Sequence, residues 1–227
     1  MAINVYGRQL SDAEIDAKEH RDLVGGLWDE LGALQFAFLT AQGLTPASRL
    51  LDLGCGALRG GVHFVRHLDA GNYYGMDINA SLIEAGRREL AEAGLGGKHV
   101  HLLVSDDFEL ERFGTTFEYA IAVSVFTHLT MNHIVKCLAE VRRTLAPHGR
   151  FFASYFEAPT RAYLAPLAHS PGDIVTSYCA DPYHYAFEEM QWMAGLAELN
   201  VERIGDWGHP SDQQMLAFSR RSGASTR

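Results

Sequence analysis

Residues 50–56 read Leu-Leu-Asp-Leu-Gly-Cys-Gly, and this stretch decides the fold. A short apolar run that stops at two closely spaced glycines is typical of a buried strand that meets a tight turn. Apolar residues at helical spacing follow, at Val62, Val65 and Leu68. Strand, glycine turn and helix in this order begin an α/β fold, in which ligands bind beyond the carboxyl ends of the parallel strands. We therefore expect the binding site at this turn.

Strand-like and helix-like segments alternate along the rest of the chain. The apolar patterns predict strands over residues 49–53, 73–77, 100–104, 119–125 and 150–156, with a closing pair over 201–204 and 215–218. They predict helices over residues 12–24, 27–42 and 80–93, one through Ile134 and Val141, and one from Phe187. This succession predicts an α/β fold with a mostly parallel sheet, in a single domain over residues 1–227.

Three segments lie outside the alternation. We expect residues 1–44 to form an N-terminal helical lid, residues 157–184 to form an insertion after strand 5 that faces the substrate, and residues 220–227 to form a flexible tail. The stretch Pro147-His148-Gly149 predicts a turn just before strand 5.

The composition narrows the classes of partner. The 227 residues carry a formal net charge of −9, which disfavours binding to the phosphates of nucleic acids. No apolar run approaches the roughly 18 residues of a membrane helix, and Met1–His20 lacks the apolar centre of a signal peptide. The three cysteines are too widely spaced to suggest disulfides or a metal site. We therefore expect a cytoplasmic protein that binds a small molecule and no nucleic acid, membrane or metal.

Two classes of cofactor compete for the turn. A dinucleotide-binding turn reads G-x-G-x-x-G, but here Arg59 stands where the third glycine belongs. The carboxylate of Asp52 beside the turn would repel a pyrophosphate, whereas it suits the ammonium and sulfonium groups of S-adenosylmethionine. Asp77 ends the second strand near the spacing at which an acidic residue binds ribose hydroxyls in either class. After strand 3, Asp106 or Asp107 could accept a hydrogen bond from adenine, with Phe108 packing on the ring.

These motifs resemble those of the class I S-adenosylmethionine-dependent methyltransferases of the small-molecule type. The family's acidic-x-Gly-x-Gly turn is matched by Asp52 to Gly56, and its ribose-binding acidic residue by Asp77, with Ile78 as the apolar neighbour of adenine. Residues 124–129 are similar to the family's strand 4 end, and residues 145–151 to its turn before strand 5.

The resemblance is firm over about residues 45–156 and loose over 186–219. It implies a Rossmann-like sheet of seven strands in the order 3-2-1-4-5-7-6, with strand 7 antiparallel and helices on both faces. It also implies S-adenosyl-L-methionine as the cofactor and S-adenosyl-L-homocysteine as the product.

The motifs and the resemblance together give a set of candidate site residues. Expected at the cofactor are Asp52, Gly54, Cys55, Gly56, Arg59, Asp77, Ile78, Asp106, Asp107, Phe108 and Ser124. Expected at the substrate are Trp28, Tyr183, His184 and Tyr185.

Several of these roles have an alternative. His128, which follows strand 4, is the candidate catalytic base, because imidazole takes up a proton near neutral pH; otherwise it caps the next helix or packs beneath the site. Asp52 contacts the cofactor directly or orients the loop. Arg59 contacts the carboxylate of the methionine moiety or forms a surface ion pair.

The predicted function is transfer of a methyl group from S-adenosylmethionine to an O or N atom of a small molecule by in-line displacement. An NAD(P)-dependent oxidoreductase and a non-catalytic S-adenosylmethionine-binding protein are the alternatives, and a protein methyltransferase is a third.

Overall fold

The computed structural model describes residues 5–221, which group into two compact units. The first unit comprises residues 5–107 and 121–123. It begins with the helices α1 (Asp12–Asp16), α2 (Glu19–Leu23) and α3 (Trp28–Ala41). Strands and helices then alternate as β1 (Leu50–Leu53), α4 (Gly61–His67), β2 (Tyr73–Asp77), α5 (Ala80–Glu92) and β3 (His101–Val104). These three strands are parallel neighbours, and β1 and β2 are buried along their whole length, which explains their apolar sequences.

The N-terminal part of the described chain, residues 5–44, is called the lead segment. It does not contain the single continuous helix that was predicted over residues 12–24. Ser11 caps α1 through a capping box with Glu14. The helix then breaks at Lys18, whose backbone is left-handed with φ +65°. Two short helices therefore stand where one was expected, because a left-handed residue cannot continue a right-handed helix.

The second unit comprises residues 108–120 and 124–221 of the described chain. Its elements, including a strand shared with the first unit, are β4 (Phe117–Ala122), α6 (Met131–Thr144), β5 (Leu145–Ala158), α7 (Phe187–Leu196), β9 (Leu199–Asp206) and β10 (Gln214–Arg220). The predicted turn at residues 147–149 is wrong, since β5 runs through it. Pro147 is tolerated there because it lies outside the stretch Arg150–Tyr155 that pairs with β10.

The insertion is more regular than its sequence indicated. It contains a hairpin of β6 (Leu167–His169) and β7 (Ile174–Thr176), and it leads into β8 (His184–Ala186). Strand β8 pairs in parallel with the end of β5, from Phe156 opposite His184 to Ala158 opposite Ala186.

Within residues 5–221 the main sheet has eight strands. Its path runs β3-β2-β1-β4-β5-β10-β9, and β8 pairs with β5 beside this path. Strand β10 is antiparallel to both β5 and β9. The mostly parallel Rossmann-like sheet with one antiparallel strand is thus confirmed, whereas the predicted count of seven is wrong because β8 adds an eighth strand.

The two ends of the chain are described in part. Arg220, which the sequence assigned to the flexible tail, is the last residue of β10. The rest of that predicted tail beyond residue 221, and residues 1–4 of the predicted lid, lie outside the described residues.

Candidate active site

The glycine turn after β1 adopts backbone angles that favour glycine. Gly54 has φ +66° and Gly56 has φ +52°. The N–H groups of Gly54 and Cys55 both donate to the carbonyl of Met76, at 2.8 and 3.1 Å. The turn is thereby fastened to the end of β2.

Leu58, in the same turn, has a left-handed backbone that no sequence pattern predicts. Its φ is +66°, a conformation that a leucine rarely adopts. Two glycines make room for its side chain: a Cβ on Gly86 would lie 2.6 Å from Leu58 Cγ, and a Cβ on Gly61 would lie 2.8 Å from Leu58 Cβ. Leu58 is fully buried, so packing against these glycines offsets its backbone strain.

Asp77 connects the turn to the end of β2. Its Oδ2 accepts a hydrogen bond from the Gly56 N–H at 2.9 Å, and its Oδ1 accepts one from the Asn79 N–H at 2.9 Å. Burial raises the pKa of Asp77, although the backbone N–H groups around the carboxylate oppose that rise. The next residue, Ile78, is 42% exposed despite its apolar side chain.

Asp52 lies beneath the turn and is bonded within the protein. The Tyr73 hydroxyl donates to its Oδ2 at 2.7 Å. Burial raises the pKa of Asp52 to about 7, and the Tyr73 hydrogen bond limits the rise. This placement favours the role of orienting the loop. Cys55 is buried as well, and burial raises the pKa of its thiol well above the usual range, which suits packing.

Arg59 joins the turn to the lead segment. Its Nη1 donates to the carbonyls of Val24 and Gly26, at 2.9 and 3.0 Å. The alternative of a surface ion pair is wrong, because the residue is buried and its Nη1 bonds backbone carbonyls. A Cβ on Gly56 would lie 3.0 Å from Val24 Cγ1, so the lead also packs directly on the turn.

Trp28, at the start of α3, packs against other residues of the lead segment and of α5. It packs against a buried cluster that includes Leu10 and Leu82. The Arg21 guanidinium lies over its ring at 4.7 Å. These contacts account for the aromatic side chain as part of the packing of the lead, and its role at the substrate stays a prediction.

The loop after β3 reaches back to Asp77. The Ser105 N–H donates to the Asp77 carbonyl at 3.0 Å, and the Ser105 hydroxyl accepts from the Asp107 N–H at 3.2 Å. Asp106 and Asp107 are both exposed, so the structure leaves the choice between them open. Phe108, half-buried with φ +53°, begins the second unit.

In the second unit, Ser124 is held at the end of β4 in a left-handed conformation with φ +58°. Its N–H donates to Ser154 Oγ at 2.8 Å, and its hydroxyl lies 3.1 Å from Gln213 Oε1. Ser154 in turn donates to the same Gln213 oxygen at 2.6 Å. Sequence reasoning missed Ser154 and Gln213, because neither belongs to a motif and Gln213 lies in a loop far along the chain.

His128 closes the short 3-10 turn Phe126–His128 that follows β4. Its Nδ1 lies 2.5 Å from Oδ1 of Asp181, and the side chains of the two residues are 18% and 26% exposed. The helix-capping alternative is wrong, because Thr130 is the N-cap of α6. Asp181 was also missed, although it begins the stretch Asp181–Tyr185, which contains the candidates Tyr183, His184 and Tyr185.

The other residues of that stretch divide into two groups. Tyr183 and Tyr185 stack with ring centroids 6.1 Å apart. His184 is fully buried: its Nδ1 bonds the Thr176 hydroxyl at 2.8 Å, and its Nε2 bonds the Tyr163 carbonyl at 2.7 Å. Both ring nitrogens of His184 thus have partners within the insertion, which indicates a structural role.

Over residues 5–221, His, Cys, Asp and Glu side chains form no group of three or more that could hold a metal ion. In the same part of the chain, each helix is too short or too polar to cross a membrane.

Comparisons with known proteins agree with this geometry. Residues 51–151 match the model of a family described as a methyltransferase domain. The ubiquinone/menaquinone biosynthesis C-methyltransferase UbiE of Vibrio campbellii is 30% identical over 170 residues, which are 71% of this chain and 64% of that protein. The chain spans about half to two thirds of the length of the curated relatives it matches.

Solved structures show the same fold. The CcbJ methyltransferase of Streptomyces caelestis has a TM-score of 0.69 at 18% identity, covering 98% of this chain and 100% of its own. CalS10, an amino pentose methyltransferase of Micromonospora echinaspora solved with S-adenosylmethionine bound, has a TM-score of 0.63 at 16% identity. The match covers 94% of this chain and 99% of CalS10. This chain therefore has the class I Rossmann-like fold of these methyltransferases, and its residues 51–151 match a methyltransferase domain, as its motifs predicted.

Proposed function

We propose that this chain is an enzyme that transfers a methyl group from S-adenosyl-L-methionine to an oxygen or nitrogen atom of a small molecule. The observation that carries the proposal is the glycine turn closed by Asp77, with the apolar Ile78 exposed beside it. A turn built in this way serves a ligand that carries both a ribose and a flat apolar ring.

The residues around the turn fit S-adenosylmethionine. Glycine at position 56 lets the backbone approach a ligand closely, since a Cβ there would already crowd Val24. Asp77 would accept from the ribose hydroxyls, Ile78 would cover one face of adenine, and Asp106 or Asp107 would accept from the adenine amino group. When bound, this cofactor supplies a methyl group made electrophilic by its positively charged sulfur.

Residues of the second unit would serve the acceptor molecule. Ser124 and His128 follow β4. Tyr183, which is half-buried, is bonded to the residue before His128, since its N–H donates to the Thr127 carbonyl at 2.7 Å. His128 would hold or remove a proton of the acceptor. His184 is left out of this set because its ring nitrogens are engaged.

Ligand binding tests the proposal against its alternatives. Calorimetry with S-adenosylhomocysteine should give a dissociation constant in or below the micromolar range, while NAD and NADP should bind at least about a hundredfold more weakly, a difference of about 2.7 kcal/mol. The reverse order would establish the oxidoreductase alternative. Binding without methyl transfer to any member of a library of phenols, alcohols and amines would favour the non-catalytic alternative.

The likeness to UbiE supports a second candidate for the acceptor atom, because that relative is named as a C-methyltransferase. Mass spectrometry of the methylated product separates the candidates. A methyl group released by acid hydrolysis of an ether or ester, or retained on an amine, supports oxygen or nitrogen, whereas a new carbon–carbon bond supports carbon.

A further inference from the structure

The contact between His128 and Asp181 joins two residues that lie 53 positions apart in the chain. Asp181 stands at the end of the insertion, and His128 stands at the end of the turn after β4. We infer that Asp181 is a positioning residue that sets the proton arrangement of His128, and that the methyl acceptor is a hydroxyl or amine that loses a proton on methylation. This inference rests on the proposed function.

The chemistry of the pair determines which ring nitrogen carries the proton. An ionised carboxylate accepts hydrogen bonds and donates none. Because Oδ1 of Asp181 faces Nδ1 of His128, that nitrogen must carry a hydrogen. The lone pair of the neutral ring then lies on Nε2, which becomes the basic nitrogen.

The backbone around His128 is held by the same segment that carries Asp181. The carbonyl of Thr127 accepts from the Tyr183 N–H at 2.7 Å, and the carbonyl of Leu129 accepts from the Tyr185 hydroxyl at 2.8 Å. Both neighbours of His128 are thus fastened to residues 183–185. An ion pair between two mobile surface side chains contributes little, whereas here the ring and its backbone are bonded to one short segment.

A further hydrogen bond connects Thr127, the residue before His128, to Ser124, which follows β4. The Thr127 hydroxyl donates to the Ser124 carbonyl at 2.9 Å. Because Ser124 is itself fixed by Ser154 and Gln213, His128 has a defined place relative to the end of the strand. A base that acts in catalysis needs such a fixed position.

A base of this kind suits acceptors that have a proton to lose. When the oxygen of a hydroxyl or the nitrogen of an amine gains a methyl group, its O–H or N–H bond breaks and the bonding electrons stay on that atom. The proton moves to Nε2 of His128, and the electron pair of the broken carbon–sulfur bond stays on sulfur. The negative charge of Asp181 stabilises the resulting imidazolium. Carboxylates and thioethers have no such proton and would gain nothing from the pair.

Nitrogen-15 NMR of the histidine rings tests the proton arrangement directly. Spectra of the full chain are recorded at about pH 8.5, well above the pKa of free imidazole. They are recorded with and without S-adenosylhomocysteine, and His128→Gln identifies the signal of His128. Asp181→Asn is compared with Asp173→Asn, a matched change at an exposed aspartate of the same insertion.

We expect the neutral ring of His128 to carry its hydrogen on Nδ1 in the wild type and in Asp173→Asn, and this preference to be lost in Asp181→Asn. A hydrogen on Nε2 in the wild type, a doubly protonated ring, or an Asp181→Asn spectrum like that of the wild type would overturn the inference. If S-adenosylhomocysteine does not bind, the proposed function fails, while the spectra of the unliganded chain still decide the role of Asp181.

Turnover gives a second readout that a merely structural role would not produce. With a phenol or amine acceptor, Asp181→Asn should lower kcat by about a hundredfold and leave the KM for S-adenosylmethionine within about twofold, and Asp181→Glu should recover part of the loss. Methyl transfer confined to carboxylates or thioethers would contradict the acceptor class.

Discussion

The carboxylate of Asp77 accepts a hydrogen bond of 2.9 Å from the N–H of Gly56. One side chain at the end of β2 thereby fixes the turn that follows β1. The same carboxylate would meet the ribose of the bound cofactor, so it connects the shape of the turn to ligand affinity.

We expect Asp77→Asn to weaken binding of S-adenosylhomocysteine by at least about tenfold, because a hydrogen bond to a charged group contributes about 1.5–3 kcal/mol. Isothermal calorimetry measures the effect. Asp69→Asn is the matched control, since Asp69 is exposed in the turn after α4. Equal affinities for the two variants would remove Asp77 from the cofactor site.

We expect Gly86→Ala to destabilise the fold by about 1–3 kcal/mol, because the new Cβ would lie 2.6 Å from Leu58 Cγ. Urea unfolding measures the free energy. Gly96→Ala is the control, since a Cβ there would lie 3.7 Å from the nearest neighbouring atom, the Cα of Ala91. The loss of unfolding free energy caused by Gly86→Ala should be smaller when Leu58 is also replaced by alanine. An equal loss with Leu58 and with Leu58→Ala would show that the two residues are not coupled.

The lead segment is fastened to α5 through the buried Glu89. Arg21 Nε and Nη2 donate to its two oxygens at 2.9 and 2.8 Å, and His20 Nε2 lies 2.7 Å from Oε1. Burial would raise the pKa of Glu89, but hydrogen bonds from Arg21, His20 and Lys18 lower it from 4.5 to about 2. The stabilisation is therefore present above pH about 4.5 and is lost as the pH falls towards 2.

We expect Glu89→Gln to lower the free energy of unfolding at pH about 7 by about 3 kcal/mol. The variant should also lose less stability than the wild type between pH about 4.5 and 2. Glu92→Gln, which changes an exposed partner of Lys18, should shift stability by less than about 1 kcal/mol. Denaturant unfolding across this pH range measures the free energy of unfolding of each variant. If this free energy changes with pH in the same way for Glu89→Gln and the wild type, the hydrogen bonds to Glu89 do not stabilise the fold as proposed.

We expect Asp52 to give the opposite pH dependence. Burial raises its pKa from 3.8 to about 7, so the folded chain keeps this proton where the unfolded chain has released it. The associated stability is present below pH about 4 and is lost as the pH rises through about 7. Asp52→Asn, which retains an oxygen to accept from Tyr73, should flatten the stability curve over this range. An unchanged slope in urea unfolding would show that Asp52 does not titrate there, and Asp69→Asn serves as the control.

The glycine turn and the aspartate that closes it were largely predictable. The glycines at 54 and 56 and the aspartate at 77 stand at spacings set by the strand–turn–helix unit, and that spacing is local. Leu58 was not predictable, because its left-handed backbone depends on glycines 3 and 28 residues further along. The insertion was predicted as irregular, yet β6, β7 and β8 form there, since strands of three residues carry too little periodic signal to be recognised.

The sequence alone was enough to predict the alternation of strands and helices, the glycine turn and the resemblance to the class I methyltransferases, because these depend on patterns within a few residues. Only the tertiary structure decided that Asp181 faces His128, that Gln213 holds Ser124, and that Arg59 bonds the lead segment. Such pairs lie 33 to 89 residues apart. These residues meet because of the path of the whole chain and the packing of its core. The sequence pattern around either residue therefore does not predict the contact.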